Sequence, residues 1–311
     1  MNIPIFFSFN DNFTLPAGVC ITSLLENADQ DTFYDIYILY SNRRLKKNNI
    51  EKISLLEKEY QNCSISFLDL EDEFKDSFSN RHITIDTYYR LLIPYLIDNY
   101  DKVIYADVDI IFRKDLTELY STELGKSAIG ASVSLNKPRK IKNYSYFAPG
   151  TYFNAGFLLM DLSEFRKIQD YKEKIAKLTM ERFEFHDQDI LNILFQGKVK
   201  FLPIKYNLSR SCLGSADTEE VRNNFREPVV IHYTGGKPWN GFISLKSDEW
   251  WDYYCRSIYY EPGYYAGYIK GYKDLEDLRN KDKILKKIGF NIFYKGLKQI
   301  ISFVRSQRNR E

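Results

Sequence analysis

The sequence predicts an α/β fold, a sheet flanked by helices, on three observations. Short apolar runs alternate with amphipathic segments along the first 70 residues. A further apolar run, Val103-Ile104-Tyr105-Ala106, ends in Asp107-Val108-Asp109. The 311 residues are 44% hydrophobic and 28% charged, enough for a sizeable core.

The elements follow in order. Ile3 to Phe9 is an apolar strand, and Asn10-Asp11-Asn12 marks the loop after it. Pro16 to Asn27 reads as a helix, Asp35 to Tyr40 as a strand, and Leu45 to Tyr60 as a helix with Leu45, Ile50, Ile53 and Leu56 at helical spacing. Ser64 to Leu68 is the third strand. Asp86 to Pro94 is a helix that Pro94 closes. Leu116 to Tyr120 is a short helical piece, and Ala128 to Leu135 and Phe153 to Leu162 are strand-like. Ser163 to Met180 is a helix with Ser163 as its N-cap. His186-Asp187-Gln188-Asp189 opens the helical run to Phe195, where acidic residues suit the helix dipole. Val229 to His232 is a buried strand, and Ser247 to Tyr260 is an aromatic helix. A boundary near Glu261-Pro262-Gly263 divides a main domain, 1–260, from a basic helical extension, 261–311.

Charge and cysteines narrow the function. The net charge is +2, but residues 281–311 hold nine Lys or Arg against two acids, a net +7, which leaves the rest at −5. An acidic body is not a nucleic-acid binder by charge. In the tail, Ile284, Leu285, Ile288, Ile292, Leu297, Ile300, Ile301 and Val304 recur at near-helical spacing, with cations between them. That pattern predicts a helix lying on an anionic membrane surface, with packing on the catalytic domain or gripping of an anionic acceptor as alternatives. Cys20, Cys63, Cys212 and Cys255 have no metal or redox spacing, so they read as reduced packing residues in a cytoplasmic protein. The chain start has no basic signal-peptide pattern, and no apolar run is long enough to span a bilayer. The expected location is cytoplasmic, peripheral at the inner face of the membrane through the tail.

Four stretches call for one chemistry. Asp107 and Asp109 at a strand end can share one hard divalent cation. His232, also at a strand end, can complete the metal shell, though a lone His is more often a satisfied core residue. Gly235-Gly236-Lys237 offers free N–H groups and an ammonium to a diphosphate, or is a plain turn with a solvated Lys. Asn10-Asp11-Asn12 lies where a nucleoside sits beside an open α/β sheet.

Together with Arg81-His82-Ile83-Thr84-Ile85, Tyr88-Tyr89-Arg90-Leu91, Tyr152-Phe153-Asn154-Ala155-Gly156, Asp187-Gln188-Asp189 and His232 to Trp239, these stretches resemble glycosyltransferase family 8 in the family's order. The resemblance covers about Ile3 to Trp239. It implies the GT-A (Rossmann-like) fold with a mixed sheet. It also implies a retaining, Mn²⁺-dependent transfer of galactose or glucose from a UDP-sugar to a hydroxyl of a glycan acceptor, with Mg²⁺ as the alternative metal. The acceptor would be lipopolysaccharide, a capsule precursor or a glycoprotein glycan.

Under that resemblance Asp107, Asp109 and His232 hold the metal. Ser8, Asn10, Asp11, Asn12 and Val108 lie around the nucleotide, and Gly235 and Lys237 meet the diphosphate. Arg90, Asn154, Asp187 and Gln188 surround the donor sugar as catalytic residues. Asp187 and the carbonyl of Gln188 face the cation-like carbon, with front-face attack favoured because an amide is a poor nucleophile. Asn10 departs from an Asp common in the galactosyltransferases, and Ser134 from an acceptor-side Asp. A haloacid-dehalogenase-like Mg²⁺ phosphatase and a non-catalytic UDP-sugar or glycan binder are the competing readings.

Overall fold

The computed structural model describes residues 1–71, 73–79, 84–135, 137–209, 219–242 and 246–271. Arg81, His82, Ile83 and the basic tail of residues 281–311 lie outside the described residues. The chain divides into two compact units, Met1–Tyr260 and Glu261–Glu311.

The first unit begins with the strand β1 (Asn2–Ser8), the helix α1 (Thr14–Glu26), β2 (Phe33–Tyr40), α2 (Lys47–Ser54), α3 (Leu56–Glu59) and β3 (Cys63–Asp69). The 3-10 helix Ile85–Tyr95 leads to β4 (Lys102–Ala106), β5 (Ile110–Phe112) and α4 (Thr117–Tyr120). Then come β6 (Ile129–Leu135), β7 (Arg139–Ile141), β8 (Ser145–Phe147), β9 (Tyr152–Asp161), α5 (Leu162–Arg166), α6 (Tyr171–Leu178) and α7 (His186–Leu194). The last elements are β10 (Val199–Phe201), β11 (Leu208–Ser209), α8 (Glu219–Arg226), β12 (Val230–His232) and α9 (Ser247–Arg256).

Seven strands form one mixed sheet in the order β10-β6-β9-β4-β1-β2-β3. The block β4-β1-β2-β3 is parallel, and β9 runs antiparallel to both β4 and β6. Parallel strands covered on both faces should be apolar on both faces. β1 and β4 are: Ile3 to Phe7 and Val103 to Ala106 are buried without alternation. Two apolar clusters result, one on each face, the first around Ile5, Phe7 and Ile104 and the second around Phe6, Val103 and Tyr105.

Strand direction positions the site. The chain leaves β1 toward β2 on one side and β4 lies on the other, so the crevice opens between the carboxyl ends of β1 and β4. Because β9 is antiparallel, it enters the sheet at that same edge. Its register sets Phe157 opposite Ala106, so Asn154, Ala155 and Gly156 lie beside Asp107. A small sheet, β11-β12-β5, adds the last part: β12 pairs antiparallel with β5 and brings His232 opposite Ile110.

Four helical expectations change in detail, the simplest being Ser247 to Tyr260, which stops at Arg256 where Ser257 turns extended. The segment 45–60 is two helices meeting at Leu55. The segment 163–180 is also two, separated by Asp170 at φ 53. Its N-cap is Asp161, whose carboxylate accepts from the Glu164 N–H, while the Ser163 hydroxyl also donates to Asp161. A carboxylate one residue before the helix reaches the free N–H groups better than Ser163, which is already inside it. The Asp86 segment is a 3-10 helix that runs through Pro94 to Tyr95. The i→i+3 pattern there needs no long ladder for Pro94 to interrupt.

Candidate active site

A cavity of about 300 Å³ opens at the crevice, lined by residues from β1, the 3-10 helix, the β4–β5 turn, β9, α7 and the loop after β12.

Against its wall Asp107 and Asp109 converge with His232, one ligand atom of each within 4.8 Å of the others. Each is oriented by a neighbour. Asp107 Oδ1 accepts from Arg90 Nη2 at 2.8 Å and from the Tyr105 hydroxyl at 2.9 Å. His232 Nε2 is 3.1 Å from Asp109 Oδ1 and 3.9 Å from Asp107 Oδ2. The other ring nitrogen, Nδ1, lies 2.9 Å from Asn207 Oδ1. Asn207 Nδ2 donates to Asn154 Oδ1 at 2.8 Å, so its oxygen must face the histidine and accept the Nδ1 proton. That leaves the Nε2 lone pair aimed at two carboxylates, the orientation a metal-ligating His takes from its outer partner. Gly156 keeps the space open: a Cβ there would lie 2.3 Å from His232 Cε1 and 2.5 Å from Asp107 Oδ2. Two carboxylates and one imidazole suit a divalent cation of hard to borderline character.

Lys237 reaches the same centre. Its ammonium pairs with Asp109 Oδ2 and donates to the Tyr233 carbonyl at 2.8 Å. Burial raises the Asp109 carboxyl, but the Lys237 ammonium beside it pulls the other way, and its pKa lies well below the usual carboxylate range. Gly235, at φ 87, makes the turn that returns the loop toward the cavity.

The second half of the cavity is built around Arg90 and α7. Arg90 is buried, and its guanidinium bridges Asp107 and Asp187, the latter at 3.1 Å from Nε. It also donates to the Thr87 and Ala155 carbonyls and lies over the Tyr105 ring. Burial disfavours its charge, but Asp107 and Asp187 raise its pKa above the ordinary value. Burial lifts the Asp187 carboxyl to about 6, against the lowering pull of Arg90 and the Thr87 hydroxyl.

Gln188 is held on both ends of its amide. Oε1 accepts from Asn154 Nδ2 and from the Ala155 N–H, each at 3.0 Å. Nε2 donates to the Tyr152 hydroxyl at 3.1 Å, and that hydroxyl donates to Asp189 Oδ1 at 2.6 Å. Arg139 completes the chain with a fork onto Asp189. The main-chain carbonyl of Gln188 accepts from Asn192 Nδ2 at 2.8 Å. Both carbonyl oxygens of Gln188 therefore already have donors.

The remaining residues divide by position. Ser8, Asn10, Val108, Asn154, Asp187, Gln188 and Lys237 line the cavity. Asp11 does not; its carboxylate accepts from the Lys46 N–H at 2.8 Å and from Asn49 Nδ2 at 2.7 Å, so it holds the neighbouring loop. Asn12 is exposed, and its backbone N–H donates to the Asn10 side chain, which caps the short turn. Ser134 is buried on β6, outside the lining. Asn207, Tyr152, Arg139 and Asp86 are polar partners that motif reading did not single out as site residues. Asn207 carries no local signal at all, because only the fold brings it to His232.

Residues 4–242 match the model of glycosyl transferase family 8. The lipopolysaccharide 1,2-glucosyltransferase of Escherichia coli is 30% identical over 274 residues, 81% of this chain and 76% of the relative. The lipopolysaccharide 1,3-galactosyltransferase of Salmonella typhimurium is 26% identical, covering 79% of this chain and 78% of the relative. The crystal structure of galactosyltransferase LgtC with donor and acceptor sugar analogs superposes with a TM-score of 0.67 at 25% identity, covering 85% of this chain and 99% of that one.

Proposed function

The chain belongs to glycosyltransferase family 8 and has the GT-A fold, and on that premise we propose a retaining, UDP-sugar-dependent hexosyltransferase acting on a glycan acceptor. The donor is UDP-galactose or UDP-glucose, and Asp107, Asp109 and His232 hold Mn²⁺, or Mg²⁺ in its place. The observation that carries this reading is the convergence of those three ligands with Lys237 and Arg90 at one crevice. Family membership disfavours a dehalogenase-like phosphatase.

When bound, the metal neutralises charge that grows on the leaving diphosphate. The protein's own groups do the rest. Lys237 leaves Asp109 for the diphosphate and adds a second positive charge there. Arg90 keeps Asp187 ionised and placed, so that a carboxylate faces the sugar as its anomeric carbon becomes cation-like. Gln188 braces Asn154 and the β9 edge against that carbon. Its amide oxygen already accepts two N–H groups and is a weak nucleophile, which supports attack by the acceptor hydroxyl on the face the diphosphate leaves. Because two relatives are lipopolysaccharide glycosyltransferases, a lipopolysaccharide glycan is the first acceptor to screen, followed by capsule and glycoprotein glycans.

The main domain, 1–260, is proposed as catalytic and residues 261–311 as its extension, with the basic tail placing the enzyme at the inner face of the membrane. Among the described residues no helix is long and apolar enough to cross a membrane. The deciding experiment is a donor screen that follows release of UDP from UDP-galactose, UDP-glucose and other nucleotide sugars with Mn²⁺. An acceptor screen with the preferred donor follows. Turnover of no UDP-sugar, with or without an acceptor, would overturn the reading.

A further inference from the structure

One end of the cavity is lined by Ser8, Phe9, Asn10, Phe13, Thr84 and Asp86. It holds a carboxylate that the metal centre and the sugar side do not use. Asp86 is buried at 4% exposure, and its Oδ2 collects three donors: Asn10 Nδ2 at 2.6 Å, the Thr84 hydroxyl at 2.8 Å, and the Arg44 guanidinium. Its Oδ1 is buried with no hydrogen-bond partner among the described residues. The Ser8 hydroxyl donates to the Asp86 carbonyl at 2.7 Å, which ties the end of β1 to the same residue.

An ionised carboxylate only accepts, so Asn10 must present its NH₂ to Asp86 and turn its carbonyl oxygen the other way. That oxygen accepts one hydrogen bond, from the Asn12 N–H at 3.1 Å. An amide oxygen has two lone pairs, so one remains for a ligand. Asn10 is itself buried at 8% exposure and lines the cavity, so an unmatched group against it would be costly.

We propose that Asp86 is a positioning residue for base selection: it locks the Asn10 amide with the oxygen outward, so that this end of the cavity takes a pyrimidine bearing a ring N–H and rejects one bearing a ring lone pair. Uracil offers N3–H to that oxygen. Cytosine offers a bare N3, which sets two acceptors against each other. The carboxylate that an Asp at position 10 would supply directly is thus held one residue away, at Asp86, with Asn10 as the reading atom. This rests on the cavity being a nucleotide-sugar site.

The test is calorimetry of UDP and CDP with Mn²⁺ on the full chain. Asp86→Ala releases the Asn10 amide and should cut the preference for UDP over CDP about tenfold, the scale of one mismatched buried polar contact. Asn10→Asp alone puts two carboxylates together and should weaken UDP. The exchange Asn10→Asp with Asp86→Asn restores one donor and one acceptor and should return the UDP preference. It also decides the matter if Asp86→Ala does not fold. A wild type that binds neither nucleotide would overturn the nucleotide-sugar reading itself. A wild type that prefers UDP, with that preference unchanged in Asp86→Ala or not restored by the exchange, would overturn the role of Asp86 alone.

Discussion

The two halves of the cavity are built on opposite plans. On one side Asp107, Asp109 and His232 bring two carboxylates and a ring lone pair within reach of each other, with Lys237 as the nearby counter-charge. On the other, Asn154, Gln188, Tyr152, Asp189 and Arg139 form a closed chain in which each amide and hydroxyl has its partner inside the protein. The first half is completed by what it binds; the second is finished by folding. Damage to the first should therefore appear in ligand binding and rate, and damage to the second mainly in stability.

The strongest test of that division is Asp109→Ala. It removes a proposed metal ligand and the partner of Lys237, and loss of metal-assisted stabilisation of the leaving group would cost several kcal/mol of barrier. Transfer should vanish, as it should for the wild type in EDTA, and the melting temperature should fall modestly, because the folded chain holds Asp109 ionised against Lys237. Asp107→Ala should also abolish transfer but melt earlier, because Arg90 is then buried with one carboxylate fewer. Near wild-type turnover of the double variant in EDTA would show that no metal is used.

Gly156→Ala sharpens the comparison, because it touches no charge. The added methyl must push His232 and Asp107 apart. A displacement of that size should cost roughly a hundredfold in rate, together with weaker Mn²⁺-dependent UDP binding. An alanine variant with unchanged metal affinity would mean that the ligands sit elsewhere when loaded.

Asp187 lies between the halves and tests them by pH. Burial raises its carboxyl from 3.8 in the unfolded chain to about 6. A raised carboxylate pKa makes the charged form a stability cost, fully present above pH 6 and relieved as pH falls through 6 toward 4. Activity should move the other way, because the sugar needs the ionised form, so rate should fall below about pH 6 while the melting temperature does not. Asp187→Asn should lower kcat by about 10²–10³ and flatten that limb of the profile. A variant with full kcat and a lower melting temperature would reduce Asp187 to a helix-end residue.

The smallest effect on rate belongs to Tyr152→Phe. It leaves Asp189 and Gln188 Nε2 each short of a partner, which should cost about 1–3 kcal/mol of stability and less than tenfold in kcat. A large loss of kcat at unchanged stability would break the distinction between the halves.

Much of this protein is written locally. The strands β1 and β4 are unbroken apolar runs, Asp107-Val108-Asp109 is a recognisable strand end, and Asp187-Gln188-Asp189 opens a helix, so each could be read from its own neighbours. The family's motifs appear in order along one chain, which identified both family and fold. Other features depend on direction and register, which a single segment does not encode. β9 reads as a strand, but only its antiparallel pairing with β4 sets Gly156 against Asp107 and His232. Asn207 reads as nothing, yet it sets the tautomer of His232 across 25 residues. Asp86 reads as a helix start, yet it turns the Asn10 amide from 76 residues away. Hydrophobic pattern and turn chemistry are short-range and survive in the sequence. The orientation of an amide or an imidazole is set by whichever partner the fold delivers, and that is decided only when the chain has closed on itself.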